Sequence, residues 1–500
     1  MSQHLATPPF LSIVVAGESR TPQPAPRLHY AIEVLFETLI GVKIDVHYAH
    51  DTTEIDNTSV LYIIPDTQLH TFVGYLPSFE SYPAPTSIPF LALSGDTLFR
   101  SDMQPLAPVC EQFGNMPALF PIPTLPRSAK LIRAHIEGAQ LFSLLPFDLL
   151  TMLFFLVTRY EEYLPFTQNN PTTTDEHGRF RAAASVAHRE GFLHLPLLNI
   201  WANHLRTELA RLYPALHFEP RAYRFVPTYD IDMAWSYRHK TWQQLIGHSL
   251  RSAVAGDWRS FHDRFAVWAG KQPDPFDTFD YLDALHNKHA AHIPNALYFW
   301  LLGDYGKHDK NSPPEGEAMQ TLIRKVAANP LYTMGIHPSY KAATVDHDRQ
   351  LQTEIVRLER ATSTLTDHSR QHYLLLHFPE TYQRLLGLAM FPLHNDYTMG
   401  YADAIGFRAS IATPYRWFDL AENETTELIV HPFAFMDVTL QQYLRYDANE
   451  AITAATQLIE EVRRHGGTLY TLWHNSSLSE RAPFVGWRRV YEAILDAAAR

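Results

Sequence analysis

The second half of the chain switches repeatedly between two hydrophobic periods. From residue 223 onward, short apolar runs typical of buried strands are separated by segments with apolar residues at helical spacing. The clearest helical segment is NEAITAATQLIEEVRRHGG, whose last turn is followed by a pair of glycines. Its predicted apolar face comprises Ile452, Ala455, Leu458, Ile459 and Val462. Repeated strand–helix units predict a parallel sheet that is long enough to close into a distorted (β/α) barrel.

The individual predictions in this half are specific. The predicted strands are YRFVPTYD, NALYFWLLG, LYTMGIHP, HYLLLHF, MFPLHND, ELIVHPFAF and GTLYTLWHN. The predicted helices between them include DTFDYLDALHNKHA, EAMQTLIRKVAAN, QLQTEIVRLERAT and PETYQRLLGLA.

The first half has a different pattern, which predicts a mixed α/β domain over residues 1–218 and places the barrel at residues 219–500. LSIVVAG and SVLYIIP are predicted strands, and LHYAIEVLFETLIG and LLNIWANHLRTELARLY are predicted helices. The run LFSLLPFDLLTMLFFLV is interrupted by Pro146 and Asp148. It is shorter than a membrane-spanning helix of about 18 or more residues, so we interpret it as a buried helix.

Composition and charge exclude several classes of function. The chain has 500 residues, an apolar fraction of 46% and a formal charge of -12. This acidic balance argues against a nucleic-acid groove and against docking on anionic lipid. The single cysteine, Cys110, excludes an intramolecular disulfide. The first residues have neither the basic start nor the long apolar core of a signal peptide, which predicts a cytoplasmic protein without a membrane span. The oligomeric state stays open.

Candidate chemistry lies where the predicted strands end. Strand after strand finishes in a residue that can bind a metal or move a proton: Asp230, His337, Asp396, His431, and His474 with Asn475. The carboxyl ends of parallel strands meet on one face of an α/β barrel, where active sites lie. The pattern therefore predicts a site that is built from several strand ends.

The Asp230–Ile231–Asp232 sequence has a geometric meaning. Residues i and i+2 of a strand point to the same side, so both carboxylates would face one way and Ile231 the other. Such carboxylates repel each other unless a cation lies between them, and a divalent metal would resolve the conflict. One Asp could then bind the metal while the other acts as general base. The alternative is a helix cap or an Asx-turn.

Later segments supply further candidates. His337 ends a strand before a proline, and Arg370 and His372 form another i, i+2 pair. His can bind a divalent metal, Arg can orient a carboxylate, and His474 could donate a proton to a leaving group. The alternative for each of them is a structural or loop residue. We predict substrate contacts for Asp396, Arg408 and Asn475.

One further carboxylate pair has a structural interpretation. In YEEY, at the end of the predicted buried helix, Glu161 and Glu162 are predicted to form structural ion pairs with Arg159.

Over residues 223–500, TYDID, GIHPSY, SRQHYL and TLWHN resemble the motifs of the polysaccharide deacetylases of carbohydrate esterase family 4. The resemblance implies Asp230 as general base, Asp232 as metal ligand in place of the residue at Ile231, and His337 as the second ligand. It further implies that Arg370 orients the base and His474 protonates the leaving group. Lys341 stands where the family has its other histidine, so we assign the third ligand to His372 on chemical grounds.

The N-terminal segments TRYEEYLPF, DEHGRF and GFLHLPLL resemble an extension found on a bacterial subgroup of deacetylase-like proteins.

From the resemblance of the motifs in residues 223–500, we expect a hydrolase that uses a divalent metal ion, Zn²⁺ by preference, to remove acetyl from an N-acetylated carbohydrate. Alternatives are a catalytically degenerate glycan-binding barrel, a scaffold in a glycan-assembly complex, and a hydrolase of a non-sugar amide.

Overall fold

The architecture combines a four-stranded parallel sheet, a nine-stranded and mostly parallel sheet, and a two-stranded hairpin, with helices packed against the sheets. The computed structural model describes residues 11–16, 26–49, 59–63, 91–94, 110–113, 116–120, 147, 149–163, 170–212, 214, 216–239, 258–293, 295–345, 347–390 and 392–500. Among these residues, no helix is both long enough and apolar enough to cross a bilayer. The α/β class predicted from the sequence is confirmed.

The described part of the first half contains a small parallel sheet and a hairpin. The sheet has the order β2-β1-β3-β4, and β5 pairs with β6 in antiparallel fashion. The strands are β1 Leu11–Ala16, β2 Ile44–Ala49, β3 Ser59–Ile63, β4 Leu91–Ser94, β5 Cys110–Phe113 and β6 Met116–Leu119. The strands predicted at LSIVVAG and SVLYIIP are confirmed as β1 and β3.

A nine-stranded sheet dominates the second half, in the order β12-β13-β11-β10-β9-β8-β7-β15-β14. Its strands are β7 Tyr223–Ile231, β8 Ala296–Trp300, β9 Tyr332–Ile336, β10 His368–Ser369, β11 Asn395–Asp396, β12 Tyr415–Asp419, β13 Glu424–Val430, β14 Phe433–Met436 and β15 Gly467–His474. All neighbours are parallel except β12 and β13. Only two residues separate β13 from β14, yet β13 pairs with β11 and β14 with β15. The sheet is therefore curled, which brings its strand ends around one cavity.

Helices connect the strands and cover the sheets. Within the described ranges, the α-helices are Pro26–Ile32, Leu149–Val157, Val186–Arg189, Leu197–Leu212, Trp258–Trp268, Phe279–Lys288, Glu317–Ala327, Tyr340–Thr344, His347–Thr362, Glu380–Leu386, Ala448–His465 and Trp487–Ala498. A π-helical segment, Glu33–Ile40, continues the first of them. Asp447 caps the helix Ala448–His465 through a capping box with Glu450, and the predicted apolar face of this helix points into the core.

The strand predicted at HYLLLHF is wrong. The nearest strand, His368–Ser369, ends before this segment, and residues His372–Leu374 form a 3-10 turn. Tyr373 and Leu374 have φ values of 59° and 56°, in the left-handed region that bulky residues rarely adopt. An apolar run cannot be distinguished from a buried turn by composition alone, which explains the error. The antiparallel strand Tyr415–Asp419 was not predicted.

Side chains from the first half pack directly against the curled sheet. The rings of Tyr30 and Phe154 lie 5.0 and 5.2 Å from that of Phe418, measured between centroids. The helix Leu149–Val157 is buried along its whole length, as predicted, whereas Pro146 and Asp148 lie outside the described residues. One cluster of buried apolar side chains draws on both halves of the chain. The boundary between residues 218 and 219 stays a prediction.

Four buried charged residues, the Arg159 cluster, also join the two halves. The cluster consists of Arg159, Glu161, Glu162 and Arg408. Arg159 donates from Nε to Glu162 at 2.7 Å and from Nη2 to Glu161 at 2.8 Å. Arg408 donates from Nη2 to the second oxygen of Glu162 at 2.6 Å. The predicted ion pairs of Glu161 and Glu162 with Arg159 are therefore confirmed.

Candidate functional site

A cavity of about 610 Å³ opens at the carboxyl ends of the strands in the curled sheet. Its walls combine carboxylates, imidazoles, basic side chains, phenol rings and a few apolar groups. The lining residues are Arg179, Asp230, Asp232, Met233, His308, Lys310, His337, His372, Tyr373, Leu374, Met436, Val438, Gln442, Tyr443 and His474. Its volume lies within the range of about 300–1,000 Å³ that is usual for small-molecule sites.

The end of β7 supplies two of the carboxylates. Asp230 and Asp232 both line the cavity, whereas Ile231 between them is buried in the apolar core. Asp230 is 2% exposed, and the side chain of Asp232 is 30% exposed. The alternation of a strand thus places both carboxylates on the cavity side.

Three side chains converge on one point in this cavity. One oxygen or nitrogen atom from each of Asp232, His337 and His372 lies within 4.8 Å of the others. Oδ1 of Asp232 is 3.2 Å from Nε2 of His337, and Oδ2 is 3.6 Å from Nε2 of His372. His337 follows β9 directly and His372 lies in the turn after β10, so adjacent strand ends position both rings.

The hydrogen bonds on the far side of each ring indicate which nitrogen is free. Nδ1 of His337 lies 2.5 Å from the backbone carbonyl of Arg370, and Nδ1 of His372 lies 3.0 Å from Oδ1 of Asp309. A carbonyl oxygen and a carboxylate only accept, so we infer that each Nδ1 carries a proton. The neutral form of each ring then presents the lone pair of Nε2 to Asp232, as metal-binding histidines do.

This arrangement fits a divalent cation. Oδ1 of Asp232 is buried and accepts no hydrogen bond, although Nε2 of His337 is close to it. With Nδ1 protonated, a neutral His337 has no proton for that oxygen, so two lone pairs face each other. A carboxylate and two imidazoles are also a donor set that Zn²⁺ accepts while keeping an open position. Asp232, His337 and His372 are therefore the residues that could hold a metal.

The pKa shifts of the cavity residues indicate a surplus of negative charge around Asp232. Burial alone would raise the pKa of Asp232, but the imidazoles of His372 and His474 hold it well below its ordinary value. Burial alone would lower the pKa of His372, yet the carboxylates of Asp232 and Asp309 raise it to about 9. Protons therefore bind the rings tightly where a metal would otherwise compensate the carboxylates.

Asp230 is held on the opposite side by a buried guanidinium. Nη1 of Arg370 donates to Oδ1 of Asp230 at 2.9 Å and to Oγ1 of Thr228 at 2.7 Å. Nε of Arg370 donates to the carbonyl of Tyr397 at 2.9 Å, which fixes the guanidinium plane. Oδ2 of Asp230 lies 3.6 Å from Nε2 of His337, so this oxygen points toward the converging ligands. An ion-paired carboxylate in this position could accept a proton.

His474, the last residue of β15, completes the cavity. Its Nδ1 lies 2.9 Å from Oδ1 of Asp437, and its backbone N–H donates to Oδ2 at 2.7 Å. Its Nε2 lies 3.6 Å from Oδ2 of Asp232. Burial alone would lower the pKa of His474, but the carboxylates of Asp437 and Asp232 raise it to about 10. A histidine that is protonated and held in this way could act as a general acid.

Other predicted residues do not line the cavity. Asp396 is buried and accepts hydrogen bonds from Thr398 and Ser369, and Arg408 belongs to the Arg159 cluster. The amide of Asn475 donates to the carbonyls of Met233 and Phe276. These three predicted substrate-binding residues thus make hydrogen bonds within the protein, and the structure does not bring their side chains to the cavity.

The side chains of two further positions, His431 and Lys341, also lie apart from the site. The ring of His431 lies between Tyr470 and Asn395, with both its nitrogens 2.9 Å from their oxygens. Burial lowers the pKa of His431 to about 3, so this ring is neutral. Lys341, at the position of the second histidine in the resembling family, is exposed.

Asp437, Asp309 and Arg179 are among the residues of the site that were missed from the sequence. Asp437 ends the apolar run FAFM, so the strand-end rule that selected Asp230 could have found it. Asp309 lies in a loop without periodicity, and Arg179 lies far away in the first half of the chain. Arg179 lies within the DEHGRF segment, but no local pattern links it or Asp309 to the cavity, because only the fold brings them to Tyr373 and His372.

Comparisons with known proteins are sparse. Residues 18–214 match a family of unknown function, DUF7033. No curated protein matches the chain. A proposed polysaccharide deacetylase from Mycobacterium smegmatis shares 13% identity and a TM-score of 0.36, over 56% of this chain and 85% of its own. A proposed polysaccharide deacetylase involved in O-antigen biosynthesis, from Bordetella bronchiseptica, shares 13% identity and a TM-score of 0.27, over 55% of this chain and 89% of its own. Similarities at this level do not indicate a function. The chemistry of the cavity is therefore the basis for the function proposed below.

Proposed function

We propose that the chain is a metal-dependent hydrolase that removes acetyl from an N-acetylated carbohydrate. The observation that carries this proposal is the meeting of Asp232, His337 and His372 between two other groups, the Asp230–Arg370 pair and the His474–Asp437 pair. A divalent ion, for which we propose Zn²⁺, would act there as a Lewis acid toward the acetyl carbonyl and the attacking water.

The protein's own groups account for the proton movements. Asp230 takes a proton from the attacking water, and its hydrogen bond from Arg370 holds the carboxylate at the cavity. Attack on the amide carbonyl forms a carbon–oxygen bond and then breaks the carbon–nitrogen bond. His474 gives a proton from Nε2 to the departing nitrogen, while Asp437 holds the proton on Nδ1. The products are acetate and a free amine.

The walls of the cavity favour a sugar as the rest of the substrate. Tyr373 and Tyr443 present phenol rings, and Arg179, Lys310 and Gln442 offer donors around them. Aromatic faces with a few placed polar groups suit the mixed apolar and hydroxyl surface of a carbohydrate ring. We also propose that the protein acts in the cytoplasm, on a precursor of a surface glycan.

Acetate release tests this function. Protein loaded with Zn²⁺ should release acetate from N-acetylglucosamine oligosaccharides, and chelation should abolish the release until Zn²⁺ is returned. The glycan-binding alternative predicts that these sugars bind without acetate being formed. The scaffold alternative predicts no dependence on Zn²⁺, and a non-sugar amidase would release acetate only from other amides.

A further inference from the structure

A hairpin from the first half of the chain lies against the cavity. Thr174 and Phe180 form an antiparallel bridge, and Arg181 N–H donates to the carbonyl of Thr173 at 2.8 Å. The turn between them is closed by Gly178, whose φ of 77° is in the left-handed region. We call residues 173–181 the 173–181 hairpin. It lies within the segment that matches the family of unknown function.

Arg179 of this hairpin joins the two walls of the cavity. It is 9% exposed, and Nη1 donates to the carbonyl of Tyr373 at 3.0 Å. Nη2 donates to the hydroxyl of Tyr443 at 2.9 Å. Tyr373 follows His372 directly, and Tyr443 ends the helical segment Thr439–Tyr443 that begins just after Asp437. The guanidinium therefore spans the cavity, from the wall that holds the proposed metal ligand His372 to the wall next to Asp437, the partner of His474.

The bridge is held from behind. Nε of Arg179 donates to Asp175 at 2.6 Å, and the backbone N–H of Arg179 donates to the other oxygen of the same carboxylate at 2.9 Å. This pairing fixes the guanidinium plane relative to the hairpin.

The tip of the hairpin is also packed. The ring of His177 contacts those of His308, Tyr340 and Tyr373. At Gly178 a Cβ atom would lie only 3.0 Å from Cε1 of His377, so the turn lies close to the barrel surface. A hairpin packed on both sides is a fixed wall.

We propose that the 173–181 hairpin closes one side of the cavity, so that the site accepts the end of a glycan or a short saccharide and excludes the interior of a long chain. Arg179 is then a specificity-determining residue, because its bridge lies where a longer glycan would pass between the two walls. The inference rests on the proposed deacetylase function and narrows its substrate. A cavity of about 610 Å³ has room for a small number of sugar rings.

The test compares N-acetylglucosamine oligomers from the monosaccharide to the hexasaccharide in two assays. The first measures binding to metal-free protein by calorimetry, which needs no catalysis. The second measures acetate release by zinc-loaded protein, with the position of each deacetylated sugar read by mass spectrometry. For the wild type we expect affinity that stops rising at the di- or trisaccharide, and deacetylation confined to a terminal sugar.

Two variants open the bridge, and one controls for the hairpin. Arg179→Ala should raise the preference for the hexasaccharide over the disaccharide about tenfold, because the net contribution of one hydrogen bond changes an affinity by about that factor. It should also allow deacetylation at internal sugars. Tyr443→Phe removes one hydrogen bond from the bridge at a half-exposed position, so it tests the idea with little risk to folding. Arg181→Ala, an exposed position in the same hairpin that does not line the cavity, should leave the length preference unchanged.

The outcomes separate this inference from the proposed function. Affinity that rises up to the hexasaccharide, or internal deacetylation by the wild type, would overturn the hairpin's role and leave the deacetylase intact. Length-limited binding with no acetate from any oligomer would overturn the deacetylase and leave the hairpin's role intact. No binding to any length would overturn both.

Discussion

Two clusters of buried charge differ in how completely their charges are paired. In the Arg159 cluster, two guanidiniums face two carboxylates, and Glu162 bonds to both guanidiniums. We call the second group, at the cavity, the Asp232 cluster. Its carboxylates are Asp230, Asp232, Asp309 and Asp437. One guanidinium, that of Arg370, pairs with Asp230, and imidazoles contact the other three carboxylates. The first cluster is balanced, and the second carries surplus negative charge.

The difference indicates what each cluster is for. A buried charge is costly unless it is paired and hydrogen-bonded. The Arg159 cluster meets this condition internally, so it needs no ligand and serves to join the two halves of the chain. The Asp232 cluster leaves Oδ1 of Asp232 without a hydrogen bond. Its carboxylates also raise the pKa values of His372 and His474, so that these rings bind protons from solution. A cluster that is incomplete in this way and lines a cavity is a candidate for cation binding and catalysis.

The largest expected effect comes from removing the proposed base. Asp230→Asn should lower the rate of acetate release by about 10²–10⁴-fold, since general bases contribute effects of that size. Zinc content, measured on the same samples by mass spectrometry, should stay at the wild-type level, because Asp230 is not a proposed ligand. A variant that retains its rate would remove Asp230 from the mechanism.

The next effect concerns the balanced cluster. Glu162→Ala leaves Arg159 and Arg408 buried without their shared carboxylate, so we expect the free energy of unfolding to fall by about 3–5 kcal/mol. Urea denaturation measures the change. The matched control is Glu427→Ala, whose side chain is 85% exposed and whose ion pair with His394 should contribute at most about 1 kcal/mol. Equal losses in the two variants would contradict the structural role of the Arg159 cluster.

Zinc itself should stabilise the incomplete cluster. At a free concentration of a hundred times its Kd, Zn²⁺ should raise the free energy of unfolding by about 2.7 kcal/mol, because it binds only the folded chain. Thermal denaturation with and without Zn²⁺ measures this shift. His337→Ala should abolish the shift, whereas a shift that survives in His337→Ala would place the ion elsewhere.

The smallest effect tests the support of His372. Asp309→Ala removes the carboxylate that holds Nδ1, so zinc affinity should fall by about 10–100-fold, as is usual for the partner of a ligating histidine. Competition with a chelating dye measures the affinity. Lys341→Ala should leave the affinity unchanged, because the Lys341 side chain is exposed and its contact with Asp309 is through the backbone N–H, which alanine keeps. If Lys341→Ala weakened zinc binding as much as Asp309→Ala does, the assignment of His372 as the third ligand would be contradicted.

The sequence predicted the parts of this account that follow from local periodicity. Strand-end positions brought Asp230, Asp232, His337 and His474 to one face, because a parallel sheet places its carboxyl edges together. The same rule also selected Asp396 and His431. Both lie at strand ends, but their side chains form hydrogen bonds with neighbouring side chains and do not line the cavity. Position at a strand end therefore indicates where a residue lies and leaves its partners open.

The remaining features depend on contacts between distant segments. Asp309 reaches His372 from a loop 63 positions away, and Arg179 reaches Tyr373 from 194 positions away. No local pattern encodes such pairs, since each depends on the packing of the whole fold. The turn at Tyr373 was predicted as a strand for the same reason, because its left-handed backbone is held by tertiary contacts, including that from Arg179.

Anomalous diffraction at the zinc absorption edge tests the central claim most directly. In crystals of the wild-type chain grown with Zn²⁺, we expect one strong peak about 2.0–2.2 Å from a carboxylate oxygen of Asp232 and from Nε2 of His337 and His372. Absence of a peak among these three residues, or a peak coordinated by other side chains while the three lie apart, would contradict the account.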